Sequence, residues 1–365
     1  MTKAAELAKM GEVLTNSQIG RKNIIINGSM QISQRSTSET GKGASDGYFT
    51  LDRFKTANGA TSAGRYTMSQ SSVTDLEGFS NALKIDCTTA DTSIAADEAL
   101  ILQQNIEGFN VQQLKATSTT TRAFTLSFYA KSNASRAIAS ELRFSSGTNR
   151  QASKLHTIGT SWARYTFTVP AASSTQIDND NSNQMQVNFW LHAGSTFTSG
   201  TLSATFEASN NANRAAGIGS IFASTDNTLE ITGIQLEVGS QATPFEHRSF
   251  GEELQLCKRY FQTYGGTNAF EHLPFLGQGS SSSINFNHEL PVEMRTTPTL
   301  SQSGDWRVNG GYLGTYYTLS SVALDNLSSK LIRGSATTSG AIGGAIGRVI
   351  AYNDLNARWS YSAEL

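Results

Sequence analysis

The sequence predicts an all-β protein: a jelly-roll β-sandwich followed by a smaller C-terminal β domain, with a short N-terminal helix and a connector helix. Three observations predict it. Strand-length runs alternate apolar and polar side chains, as in Phe124, Leu126 and Phe128 against Thr125 and Ser127, or Tyr165, Phe167 and Val169 against Thr166 and Thr168. One buried and one wet face per strand suits packed antiparallel sheets rather than a parallel α/β core. Charged residues make up 16% of the chain, against roughly 25% in an average soluble protein. Glycine is abundant and proline scarce, 32 against 5, which fits many short strands joined by polar turns. Finally, only two stretches carry a helical period.

The first of these is residues 2–14, where Leu7, Met10 and Leu14 form an apolar stripe at i, i+3 and i+7. A helix this short is marginal alone, so the segment 1–22 is expected to serve as an anchor or oligomerisation element through that stripe. Asn23 to Gly28 follows, a β-branched run closed by Asn-Gly, and predicts the first strand of a sandwich over 23–245. Further strands are predicted at 48–54, 65–69, 82–87, 100–104, 123–131, 139–144, 163–169, 185–191 and 229–238, enough for a jelly roll with long Ser/Thr/Asn/Gly loops. In one loop Asp178, Asn179, Asp180 and Asn181 cluster, but without the spacing of a calcium loop, so a solvated turn is expected.

The second helical stretch is Phe250 to Tyr264, within a connector at 246–265. Phe250, Leu254, Cys257 and Phe261 share one stripe, Ser249 stands at the N-cap and Gly265-Gly266 provides a stop. The C-terminal domain at 266–365 returns to strands at 283–290, 299–303, 306–309, 316–322, 347–353 and 357–364. Pro291 and Pro298 confine the segment between them to an edge or a crossing.

A net charge of −1 without a basic block gives no field to attract nucleic acid or a membrane surface. No run of 18 apolar residues occurs, which argues against membrane insertion. Glu6 and Glu12 interrupt any signal-peptide core, so synthesis in a cytoplasm is expected. Cys87 and Cys257 are expected to be buried free thiols rather than a disulfide framework or a metal site.

The motifs NIIINGSMQISQRS, YFTLDRF, FTLSFYAKS, WARYTFTVP and ITGIQLEVGSQATPFEHRSFGEELQLCKRYFQ, with LPVEMRTTPTL and the closing YSAEL, span nearly the whole chain. In this order they resemble the tail-fibre and virion structural proteins of tailed bacteriophages. Residues 124–131, 162–170 and 231–239 are also similar to jelly-roll carbohydrate-binding modules. The resemblance implies a virion protein, usually a homotrimer, made in the host cytoplasm. Its implied partners are its own copies, other tail or virion proteins through the N-terminal helix, and a host-surface glycan or protein.

A glycan-depolymerising tail spike is the alternative, and a head-decoration protein another. Glycoside hydrolysis needs two carboxylates roughly 5 to 10 Å apart. The sequence offers Asp46 with Asp52, Glu230 with Glu237, and Asp86 with Glu107, each as readily placed in structural roles. The five histidines lack HExxH or HxH spacing, and His247 at the domain junction reads as a hydrogen-bonded pivot. No catalytic, cofactor-binding or metal-ligating residue is therefore assigned. For receptor contact the candidates are Trp306, Tyr312, Tyr316 and Tyr317, an aromatic cluster suited to stacking on sugar rings.

Overall fold

The computed structural model describes residues 21–59, 62–146, 149–173, 175–279, 282–309, 315–340 and 346–365. The helix expected over 2–14, with Leu7, Met10 and Leu14, lies outside the described residues. The chain divides into two compact units, Met1–Glu253 with Leu365, and Leu254–Glu364.

The first unit is a sandwich of two six-stranded antiparallel sheets. One sheet runs in the order β1 (Ser38–Lys42), β3 (Arg65–Ser72), β4 (Asn81–Thr89), β12 (Thr228–Val238), β6 (Phe124–Ser132) and β9 (Ala163–Val169). The other runs β11 (Glu207–Ala208), β8 (Arg150–Ile158), β7 (Arg136–Phe144), β10 (Asn183–Ala193), β5 (Ala99–Glu107) and β2 (Lys55–Asn58). A single helical turn, α1 (Ser195–Thr198), follows β10. The alternating residues of both sheets meet between them: Leu83, Ile85, Leu126, Phe128, Ile231 and Leu236 from the first, Leu100, Leu102, Leu142, Phe144, Val187 and Phe189 from the second. Phe128 and Phe189 touch edge to face at 4.9 Å, a geometry that adds specificity to the area buried.

Three expectations are corrected, two in this unit and one at the connector. Asn23 to Gly28 is not a strand. Most of its amides are taken by side chains, which leaves no ladder: Glu246 accepts from Lys22 N and Asn23 N, Asn23 Oδ1 from Ile25 N, Gln104 Oε1 from Ile26 N, and Glu253 Oε1 from Asn27 N, while Ile24 N alone donates to a main-chain carbonyl, that of Leu236. The segment instead plugs into β12, where the register shifts between Thr232 and Gln235 and Ile234 N donates to Gly28 O at 3.0 Å. Gly233 makes this bulge affordable, since φ is +59° and a Cβ there would strike the rings of Phe79 and Tyr129. Residues 48–54 are likewise a turn rather than a strand, with Arg53 at φ 71° and Asp52 buried beneath it. The strands β1, β2, β8 and β11 had no counterpart among the sequence-predicted runs.

The third correction concerns the connector. The helix, α2 (Phe250–Lys258), starts where expected, with Ser249 Oγ accepting from Glu252 N at 3.3 Å. It ends at Lys258 rather than Tyr264, because Phe261–Tyr264 forms β13 and pairs with β21 (Arg358–Ser362). Phe-Gln-Thr-Tyr is better suited to a pleated, half-buried surface than to a helix.

In the second unit, β13, β21 and β16 (Thr299–Ser303) form a three-stranded sheet. Six further strands close into a barrel in the order β14 (His272–Gly279), β15 (Ser283–Glu289), β19 (Leu331–Thr338), β18 (Tyr316–Leu327), β17 (Trp306–Asn309) and β20 (Ile346–Ala351). The core of this unit holds Ile284, Phe286, Trp306, Val308, Ile332, Ala336, Val349, Trp359 and Tyr361. Among the described residues Cys87 and Cys257 are both buried and neither forms a disulfide. No described helix is long and apolar enough to cross a membrane.

Candidate functional site

Because directly opposed residues of antiparallel strands share a face, the outer side of the second sandwich sheet is built in rungs. One rung reads Gln151, Arg143, Gln186, Asn105 across β8, β7, β10 and β5. The next reads Ser153, Glu141, Asn188, Gln103, Lys55, and the third Leu155, Ala139, Trp190, Ile101, Ala57. A sheet face facing water would normally carry such polar rungs unburied. Here a loop between β10 and β12 folds over part of the face.

That loop packs Phe197, Leu202, Ala215 and Ile218 on the third rung and roofs Trp190, which is fully buried. Arg214, from the loop, stacks its guanidinium 4.6 Å above the Trp190 ring and grips Glu141 through Nε at 2.8 Å and Nη2 at 3.0 Å. Glu141 Oε2 also accepts from Asn188 Nδ2 and Trp190 Nε1, both at 2.9 Å, and Asn188 Oδ1 accepts from Gln103 Nε2 at 2.9 Å. A buried carboxylate held by a bidentate arginine and two further donors is fully satisfied. This network is therefore a floor, closed to ligand.

On the first rung Gln151 and Asn105 are buried, and Arg143 with Gln186 form the partly exposed stretch. Arg143 and Gln186 are half-buried, with Arg143 Nη1 3.4 Å from Gln186 Oε1. Desolvation, and then the nearby Arg214 cation, lower the Arg143 pKa. Its Nε, and the Oδ1 of neighbouring Asn183, are buried with no hydrogen-bond partner. At the β2 end stands the ring of Tyr48, with the Arg35 guanidinium 5.2 Å and the Lys55 ammonium 5.9 Å from its centre. The main-chain carbonyl of Leu365, which groups with this unit, accepts from Tyr48 Oη at 3.0 Å and Asn105 Nδ2 at 2.8 Å. This end of the rung thus already presents its donors to an oxygen acceptor.

The sequence-predicted residues lie elsewhere. Trp306 is corrected: it is 1% exposed, packs in the core of the second unit and donates from Nε1 to Ser303 O at 2.9 Å, so it cannot touch a receptor. Tyr317 pairs with Val308 and packs against the same core. Tyr316 pairs with Asn309 and sets its ring 4.8 Å from Tyr352. Tyr312 lies outside the described residues.

The candidate carboxylates are engaged in structural contacts. Asp46 accepts from Asn58 N at 2.7 Å, while Asp52, fully buried, accepts from Gln34 N at 3.0 Å and from the Gln34 side-chain amide. Glu237 accepts from Thr243 N at 2.9 Å and Oγ1 at 2.6 Å; Glu230 accepts from Ser71 Oγ at 3.3 Å. Asp86 lies 3.1 Å from Lys84, and buried Glu107 accepts from Asn110 Nδ2 at 3.3 Å. His247 packs its ring against Phe79 and Phe245. Asp178 accepts from Ser146 Oγ and Gln176 Nε2, and the Ser146 bond chiefly lowers its pKa. No group of three or more metal-ligating side chains occurs among the described residues.

Arg143, Gln186, Asn105 and Asn183 escaped sequence reasoning because on an alternating strand a polar residue reads as ordinary wet face. The available signal was Trp190, the largest side chain of β10, standing on the polar side of the alternation.

No family model matches the chain, and no curated protein matches it. Among solved structures, the enzymatically active domain of bacteriophage CBA120 tailspike protein 4 aligns at 15% identity and a TM-score of 0.31, covering 60% of this chain and 21% of that one. This chain therefore spans about a fifth of the tailspike chain it matches. TmCBM61, in complex with β-1,4-galactotriose, aligns at 9% identity and a TM-score of 0.29, covering 60% of this chain and 99% of that one. The family 11 carbohydrate-binding module of the Clostridium thermocellum cellulase Lic26A-Cel5E aligns at 12% identity and a TM-score of 0.28, covering 55% of this chain and 96% of that one.

Proposed function

We propose that this chain is a non-enzymatic, oligomeric structural subunit of a tailed-bacteriophage virion, of the tail-fibre kind. It is made in the host cytoplasm and contributes to host attachment by holding glycan on the partly exposed Arg143–Gln186 stretch of the second sandwich sheet. The carrying observation is the partly exposed pair Arg143 and Gln186 on one rung, with Asn105 of the same rung tied to the Leu365 carbonyl that also accepts from Tyr48 Oη. Planar amide and guanidinium groups suit sugar hydroxyls, an aromatic face suits the CH side of a pyranose, and two of the polar atoms still lack partners. The virion part of the reading draws on the motif order along the whole chain. The non-enzymatic part draws on the engagement of each candidate carboxylate in a structural contact.

Calorimetric titration of the full-length protein with a panel of host-type polysaccharide fragments tests the proposal. Binding should occur, and Gln186→Ala or Arg143→Ala should weaken it about tenfold or more, the scale of one lost hydrogen bond to a charged or well-placed group. No binding across the panel, or variants indistinguishable from the parent, would sink the glycan reading. New reducing ends would replace it with the depolymerase. A monomer by light scattering, with normal assembly of a Leu7→Asp variant, would remove the oligomeric-fibre part.

A further inference from the structure

The outside of the barrel carries a second cluster that the sandwich site does not use. Arg307 lies opposite Thr318 and Ile350, and Asn309 opposite Tyr316 and Arg348, across β17, β18 and β20. Trp306 and Val308 fill the interior, so Arg307, Asn309, Tyr316 and Arg348 share the outer face. Tyr352, just after β20, lies 4.8 Å from the Tyr316 ring, and Phe270, 46% exposed, meets it edge-on at 5.6 Å.

The cluster is held rigid from one side. The Arg307 guanidinium stacks 3.8 Å from the centre of the Tyr352 ring and is fixed by Asp305, whose carboxylate accepts from Nη2 at 2.7 Å and Nε at 3.1 Å. Arg307 is therefore neutralised. Arg348 is not: it is exposed, and it makes no ion pair among the described residues. Beside it, Asn309 Oδ1 is buried with no hydrogen-bond partner. The face thus offers an aromatic platform, one unbalanced cation and one acceptor awaiting a donor.

We propose that this face is a second glycan site, selective for acidic saccharides. A uronic acid residue stacks on the Tyr316–Tyr352 platform, its carboxylate pairs with Arg348, and one of its hydroxyls donates to Asn309 Oδ1. The proposal differs from the sandwich site in place and chemistry, and it stands if that site fails.

The test uses the full chain and oligosaccharides of polygalacturonate, hyaluronan and alginate, with methyl-esterified polygalacturonate and inorganic tripolyphosphate as comparison probes. At least one uronate should bind, more weakly as salt rises. Arg348→Gln and Tyr316→Leu should each reduce affinity about tenfold or more. Thermal unfolding matching the parent shows that these variants are folded; were Tyr316→Leu to unfold early, Arg348→Gln together with the ester carries the decision. The inference is overturned if no uronate binds or if the ester binds as well as the acid. It is also overturned if tripolyphosphate binds equally well and Tyr316→Leu leaves uronate binding unaffected, since bare charge would then explain it.

Discussion

In the sandwich, every residue of β5 from Ala99 to Glu107 is buried, polar and apolar alike, whereas in the barrel β15 and β19 alternate strictly between inside and outside. The two regions are built from the same kind of strand. What differs is the second face: a loop roofs part of the sandwich sheet, while the barrel wall at β15 and β19 stays uncovered. A strand covered on both sides must find partners for its polar half, which is why Gln103, Asn188, Glu141 and Arg214 form a closed chain of hydrogen bonds. A strand covered on one side can leave Asn285, Asn287 and Arg333 to water.

The comparison breaks most visibly at Arg214. Arg214→Ala strands a fully buried Glu141 and should cost about 3–5 kcal/mol, read by urea unfolding, with only the sandwich transition moving. Arg348→Gln on the open barrel wall should cost no more than about 0.5 kcal/mol. A shift below 1 kcal/mol for Arg214→Ala would mean that the roof contributes little and that the contrast is only geometric.

Acid should reveal where the regions behave alike. His156, bonded to Ser140 Oγ at 2.8 Å, and His288, bonded to Tyr361 Oη at 3.1 Å, are both pushed from 6.5 to about 4, chiefly by burial. The unfolded chain takes up these protons below about pH 6.5, while the folded protein refuses them until about pH 4. Stability therefore falls as pH drops through that window, by up to about 3 kcal/mol for each histidine, and is flat above it. His156→Gln should flatten the pH slope of the sandwich transition alone, and His288→Gln that of the barrel unit. A common response of both transitions to either variant would show that they are not independent.

A modest effect belongs to the helix start. Ser249→Ala removes the acceptor for Glu252 N and should cost about 1 kcal/mol, measured by thermal unfolding.

The all-β class and many strands were legible because Phe124 to Lys131, Thr299 to Ser303 and Trp306 to Asn309 alternate or carry strong strand formers. Their neighbours were not. In β19 the inward positions are Ile332, Gly334, Ala336 and Thr338; Gly334 is small because a Cβ there would meet Phe286 and the Ala323 carbonyl. Alternation between small and polar residues looks like a loop. The opposite error occurred at Asn23 to Gly28, where a β-branched run is claimed by Glu246 and Glu253, more than 200 residues away. Locally sound strand chemistry lost to partners that only the fold brings near. Of the aromatic candidates, Trp306 and Tyr316 have equal appeal in sequence; the parity of their positions on paired strands sends one inward and the other out. Arg143 and Gln186 could not be distinguished from ordinary surface until the roofing loop was in place.

Closure of the barrel has one more consequence. A ring of six strands has no terminal strand, so it offers neighbouring molecules no row of unsatisfied amides and carbonyls on which to extend. The sandwich does end in rims, and two of them are blunted: β11 is two residues long, and β1 carries a Glu39–Lys42 ion pair. Along the barrel and at those two rims the chain is protected against strand-by-strand aggregation, and contact between crowded copies there is left to side chains.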